Sequence, residues 1–330
     1  MNILFVGGSL NQTKMMHKIS KFFPDCESYF SPYYTDGILN LLVKARILDF
    51  TILGGNFRKQ TENYLNENKL KIDYRGEARD YDLVYTGSDL IVPKNIRSRK
   101  MILVQEGMME PINFLFYLVK YLKFPRWSCN TAATGLSDYY NYFCVASEGF
   151  KNLFIERGVN PDKIIVTGIP NFDNAKALLN NNFPHKEYVL VATSDARETL
   201  NYENRKEFIL KAKEISDGRQ IIFKLHPNEK FKRAEKEINK YAPGSLIFQN
   251  EDIDPMLANC DVLITKYSSV AFIGLALGKE VHSAFDLQFL KDLLPLQNGG
   301  RSASEIAYIG RQLIGLKDLE TMVWENISSD

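Results

Sequence analysis

Short apolar runs recur along the chain, each closed by a polar or glycine turn and followed by a longer stretch of mixed character. Asn2–Val6, Asp82–Tyr85, Lys100–Val104, Tyr142–Ser147 and Lys163–Thr167 form one series. Tyr188–Ala192, Gln220–Phe223, Ser245–Phe248, Asp261–Thr265 and the run entered through Gly278–Val281 form a second. Short β-branched runs bounded by polar residues read as buried parallel strands. Helical patterning begins near Asn11 or Gln12 and returns over 37–70, 111–125 and 148–157, where Ser147 is a good N-cap and Gly158 a good stop. It continues over 205–215, 230–241, 270–277 and 304–326. Strand–helix alternation in both halves predicts an α/β protein with two doubly wound, Rossmann-like sheets. Asn180-Asn181-Asn182 breaks any helix between them. The expected domains are 1–172, on the acceptor side, and 173–330, with the last helix packing back on the first domain as a variant.

The chemistry-bearing residues fall at the ends of these strands. Lys224-Leu225-His226-Pro227 closes one strand of the second half, and Thr265-Lys266-Tyr267-Ser268-Ser269 closes another. The carboxyl edge of an open α/β sheet is where ligands bind. A cation, an imidazole, two hydroxyls and a helix N-terminus together suit a phosphate or diphosphate. Ser194 and Arg197 close a third strand there, and Arg197 with Lys224 would add charge to a leaving group. His226 beside Pro227 is also what a braced turn needs, and Ser268-Ser269 is also a plain N-cap. In the first half, Gln105-Glu106-Gly107 follows a strand directly. A carboxylate there is placed for general-base work, or is a buried acid satisfied by backbone N–H groups. Gly7-Gly8-Ser9 makes either an acceptor-side loop or a tight strand-to-helix turn. The G-x-G-x-x-G fingerprint of dinucleotide sites is absent.

Composition narrows the field. With 41 basic and 40 acidic side chains in 330 residues, the net charge of +1 gives no basic field for nucleic acid. The four cysteines show no C-x-x-C and the four histidines no H-E-x-x-H, so neither a disulfide framework nor a metal site is expected. The start of the chain does not read as a signal peptide, and no apolar run is long enough to span a bilayer. A cytoplasmic protein is expected. The greasiest segment, 111–127, has Lys120, Lys123, Arg126 and Trp127 on its flank. It reads either as a core helix or as a helix lying in a membrane interface, which would place the chain peripherally at the inner membrane face. The basic cluster Lys94, Arg97, Arg99 and Lys100 reads as a solvated loop or as a contact for an anionic acceptor or membrane surface.

With Lys224-Leu225-His226-Pro227, Ser268-Ser269 and Ala276-Leu277-Gly278-Lys279 in view, the chain resembles the GT-B nucleotide-sugar glycosyltransferases of bacterial surface polysaccharide synthesis, of the kind that build capsule and lipopolysaccharide. The similar branches are capsule Kdo transferases, sialyl- and polysialyltransferases and CDP-glycerol glycerophosphotransferases. The resemblance implies two Rossmann-like domains facing a cleft, with His226, Ser268 and Ser269 on donor phosphate or ribose. Glu106 would be the base, although the family's acidic-acidic-Gly motif is here Gln105-Glu106-Gly107. It implies a nucleotide-activated sugar as donor substrate, a glycan or lipid-linked acceptor, and no separate cofactor. A second resemblance, through Asn152-Leu153, Gly158-Val159, Ile164–Pro170 and His226-Pro227-Asn228, is to UDP-N-acetylglucosamine 2-epimerases. That family's Gly-Asp pair and His-Arg-x-Glu-Asn motif correspond only in part to Gly87-Ser88-Asp89 and Ser194–Glu198. The expected function is transfer of a sugar or glycerophosphate-like group to a surface-polymer acceptor without a metal. A sugar-nucleotide isomerase and a non-catalytic GT-B binding module are the alternatives.

Overall fold

The computed structural model describes residues 1–32, 35, 37–45, 55–194 and 203–317. The chain divides into two compact units. Unit 1 comprises Met1–Asp173 and Asn298–Asp330, and unit 2 comprises Asn174–Gln297.

Unit 1 is built on β1 (Asn2–Val6), β2 (Glu27–Ser31), β3 (Lys71–Ile72), β4 (Leu83–Thr86), β5 (Met101–Val104), β6 (Tyr142–Val145) and β7 (Ile164–Val166). Among the described residues these form one parallel sheet in the order β3-β2-β1-β4-β5-β6-β7. Its helices are α1 (Leu10–Ser20), α2 (Gly37–Lys44), α3 (Gly55–Glu67), α4 (Phe114–Leu122) and α5 (Glu148–Arg157). Unit 2 has β8 (Val189–Ala192), β9 (Ile221–Lys224), β10 (Leu246–Phe248), β11 (Val262–Ile264) and β12 (Glu280–His282), parallel in the order β10-β9-β8-β11-β12. The intervening helices are α6 (Arg205–Ser216), α7 (Phe231–Tyr241), α8 (Ile253–Asn259), α9 (Val270–Ala276) and α10 (Leu287–Asp292). The doubly wound α/β architecture read from the alternation is therefore present in both units.

The central strands are apolar on both faces because helices cover both. In unit 1 the ring of Phe5 stacks on Phe30 at 5.3 Å and on Tyr85 at 5.2 Å. β2 escapes the hydropathy pattern because Glu27-Ser28-Tyr29-Phe30-Ser31 has only two apolar residues, and β3 is two residues long. The pairing of β2 with β1 and of β3 with β2 is a tertiary choice.

The last helix among the described residues, α11 (Ser302–Ile314), belongs to unit 1. The Tyr85 hydroxyl donates to the Ile306 carbonyl at 3.2 Å. Gly310 makes that approach feasible, since a Cβ there would sit 1.9 Å from the Tyr85 hydroxyl. Arg311 is fully buried and forks onto Asp25 at 2.7 and 3.0 Å. That guanidinium holds the Asp25 carboxyl below the usual range. The helix expected over 304–326 is shorter: it stops at Gly315, whose φ of 76° is the left-handed C-terminal cap. Residues 318–326 of that expectation lie outside the described residues.

Candidate functional site

Both sheets reverse their winding direction at one place, and the loops there carry the candidate residues. In unit 1 the reversal falls between β1 and β4, the crevice where open α/β sheets take ligands. β1 leads through Gly7-Gly8-Ser9 into α1. Ser9 is the N-cap, its Oγ accepting from the Gln12 N–H at 3.1 Å. Gln12 in turn accepts from the Gly8 N–H at 2.8 Å, so Ser9–Gln12 is a variant of the capping box. The rest of both side chains points at Glu106. Ser9 Oγ donates to Glu106 Oε1 at 2.8 Å, and Gln12 Nε2 donates to Oε2 at 2.6 Å. Burial pushes the Glu106 carboxyl up, and the bonds from Gln12 and Ser9 oppose that shift.

The neighbours of this cluster are structural. Gly7 donates to the Ser31 carbonyl and accepts from Thr13 Oγ1, each at 3.1 Å. Gly87 leaves room for Gln12, because a Cβ there would come within 2.9 Å of its Cγ. Gln105 braces the loop, accepting from the Ala146 N–H at 2.9 Å and donating to the Gly107 carbonyl at 2.8 Å. Asp89 is wholly buried and its two oxygens accept from the Gly135 and Ser137 N–H groups at 2.9 and 3.0 Å. That commits the residue nearest to an epimerase acid to holding a loop.

In unit 2 the reversal falls between β8 and β11. Thr193 and Ser194 follow β8, His226 and Pro227 follow β9, and Ser268 and Ser269 follow β11. These strands are consecutive in the sheet, so the candidates share one edge. Arg197 lies outside the described residues. His226 Nδ1 accepts from the Asn228 N–H at 3.2 Å, which assigns the neutral ring's proton to Nε2, a donor suited to a phosphate oxygen. Lys224, the cation expected at the leaving group, is anchored by backbone carbonyls. Its Nζ donates to the Leu225 and Gln249 carbonyls at 3.1 and 2.8 Å. Burial lowers its pKa, while Glu251, Asp252 and Glu229 pull the other way. Ser269 occupies the N-cap position of α9 with helical backbone angles and makes no side-chain cap bond. Ser268 Oγ accepts a long bond, 3.4 Å, from the Val270 N–H.

A buried charge network holds the His226 turn. Glu229 accepts from the His226 N–H at 2.9 Å, from the Thr193 hydroxyl and from the Arg205 guanidinium. Arg205 also lies 3.1 Å from Glu203, which Lys266 approaches at 3.4 Å. Gln249 Nε2 donates to the Glu229 carbonyl at 2.8 Å. Of these residues Glu229 has a signal in sequence, an acid three residues after a turn-forming His. Arg205 and Glu203 have none, because only the fold brings them to the loop. Beside the Ser268-Ser269 loop lies a pocket of about 330 Å³, lined by Phe208, Ile264, Lys266 and His282 among others. Among the described residues no group of three or more His, Cys, Asp or Glu is placed to hold a metal ion.

Two such units, each with its candidate loops at the sheet's carboxyl edge, are of the GT-B fold class, and solved structures bear this out. The UDP-GlcNAc 2-epimerase of Neisseria meningitidis bound to UDP-GlcNAc matches with a TM-score of 0.56 at 14% identity, covering 94% of this chain and 99% of that one. A putative UDP-N-acetylglucosamine 2-epimerase from Listeria monocytogenes matches at 0.53 and 14%, covering 96% and 91%. The wall teichoic acid polymerase TagF, as a variant soaked with CDPG, matches at 0.52 and 12%, covering 96% and 89%. Within that fold, residues 127–277 match the family CDP-Glycerol:Poly(glycerophosphate) glycerophosphotransferase. The matched segment contains His226, Ser268 and Ser269, and it makes a GT-B transferase the class to which the fold and site point. No curated protein matches the chain in sequence.

Proposed function

We propose that the chain transfers a glycerophosphate-like group or a sugar from a nucleotide-activated donor to the hydroxyl of a surface polymer, a glycan or lipid-linked acceptor. The observation that carries this is the coincidence of the transferase-family segment with the unit 2 edge where Ser194, His226, Ser268 and Ser269 converge. His226 Nε2 and the two serine hydroxyls donate to the donor's phosphates. Negative charge develops on the leaving nucleotide phosphate as its bond to the transferred group breaks, and preorganised donors stabilise it. Glu106 takes the proton of the attacking acceptor hydroxyl, held ready by Ser9 and Gln12, which fix both carboxylate oxygens. Neither a metal nor a separate cofactor is required, and the work is done in the cytoplasm on the face of a membrane.

The test is purified protein with CDP-glycerol and with CMP-, UDP- and GDP-linked sugars, read by donor-induced thermal shift and by release of the nucleotide in the presence of acceptor and EDTA. Stabilisation by one nucleotide class and chelator-resistant release are expected. No stabilisation by any donor refutes the reading. Conversion of UDP-N-acetylglucosamine without acceptor would make the chain an isomerase instead. Glu106→Gln should keep the thermal shift and lose turnover.

A further inference from the structure

We propose that α4 and the chain flanking it dock the protein on an anionic lipid surface. This rests on the membrane-face placement proposed above and supplies the surface and the headgroup chemistry.

The inner side of α4 has a structural task already. Phe116 and Val119 are buried in a small cluster with Cys129, Ala132 and Ala133. The outer side has none. Phe114 is 74% exposed, Tyr121 69% and Leu122 65%. Phe114, Tyr117 and Tyr121 follow one another at i, i+3 and i+7, so they share a face, and the Tyr117 and Tyr121 rings stack at 6.4 Å. Phe124 and Trp127 extend the exposed apolar surface past the helix end. A contiguous exposed patch of this kind marks an interaction site.

Charge decides the partner. Residues 111–127 contain Lys120, Lys123 and Arg126 and no carboxylate. Arg97 adds to the same sign, since Arg97 and Arg126 both lie over the Tyr139 ring, at 5.0 and 5.1 Å. A two-fold contact with a second copy would set this patch against itself, cation facing cation. An anionic headgroup layer complements it instead. Tyr and Trp rings suit that depth, with an apolar body and a polar tip, and Lys stems reach outward along apolar surface. Among the described residues no helix is long and apolar enough to cross a membrane, so the geometry is that of a helix lying in the interface.

The experiment is flotation of the full chain with phosphatidylcholine vesicles, with and without phosphatidylglycerol. Binding should require phosphatidylglycerol. It should fall about tenfold or more in F114E/Y121E/L122E, whose replaced side chains are exposed, and fall in Lys123→Glu. Salt at about 0.5 M should weaken wild-type binding, because screening shortens the reach of the cations. Donor-induced thermal shift is measured on every variant and should not change. Lost vesicle binding with an intact shift then speaks only to the surface, and a missing shift with intact vesicle binding only to the transferase reading. Equal binding by wild type and triple variant overturns the proposal. So does absence of wild-type binding, in particular with a dimer in light scattering that the triple substitution disperses.

Discussion

Glu229→Ala should destabilise the fold by about 4 kcal/mol, the range found when one partner of a buried ion pair is removed. The figure follows from what is left behind. The Arg205 guanidinium loses one of its two carboxylates while its side chain is 3% exposed. The His226 N–H loses its 2.9 Å acceptor, and the Thr193 hydroxyl loses another. Unmet buried donors cost about 1–3 kcal/mol each, partly recovered here because Glu203 still faces Arg205 at 3.1 Å, the His226 N–H still reaches Thr193 Oγ1 at 3.2 Å and the Thr193 hydroxyl still reaches the Lys224 carbonyl at 3.3 Å. Glu229→Gln keeps the shape and one acceptor oxygen, and should cost only about 1–2 kcal/mol. Urea unfolding followed by far-ultraviolet circular dichroism reads the difference. At a slope of about 2 kcal/mol per molar, the Ala variant's midpoint should fall by about 2 M and the Gln variant's by less than about 1 M. Because Glu229 holds the His226 turn, donor affinity should fall in both variants, more in Ala. Equal midpoints for Ala and Gln would refute the claim that the Glu229 acceptor oxygens hold the turn.

Three further outcomes are expected. The raised Glu106 pKa means the folded chain keeps that proton longer than the unfolded one. Stability is therefore lost as pH rises from the ordinary Glu value through the raised one, and Glu106→Gln should remove that loss in melting curves against pH. Wild-type turnover should rise over the same window, as the base ionises. Ser269→Ala removes no cap bond, so stability should stay within about 0.5 kcal/mol, while donor affinity drops; an unchanged dissociation constant would take Ser269 out of the donor site. Arg311→Ala strips Asp25 of the partner that depresses its pKa and should cost about 3 kcal/mol near neutral pH. That difference should shrink on acidification, because the wild type loses the contribution as pH falls through the depressed Asp25 pKa.

The sequence by itself determined the strand–helix alternation in both halves, and with it the doubly wound sheets, because buried parallel strands must be apolar on both faces. It also placed Glu106, His226 and Ser268-Ser269 at strand ends, since the turn follows directly where an apolar run stops. It showed 111–127 as greasy and basic, but not which side of α4 faces outward; Phe116 and Val119 pointing inward settles that. Only the tertiary structure decided that Ser9 and Gln12 grip Glu106, about a hundred residues away, because β1 and β5 flank β4 in the sheet order. It likewise decided that Lys224 donates to backbone carbonyls and that Glu203 and Arg205 lock the His226 turn. The physical reason is the same throughout. Periodicity records which faces are buried, whereas the partner of a polar side chain depends on strand order, to which distant stretches of the chain contribute without any local mark.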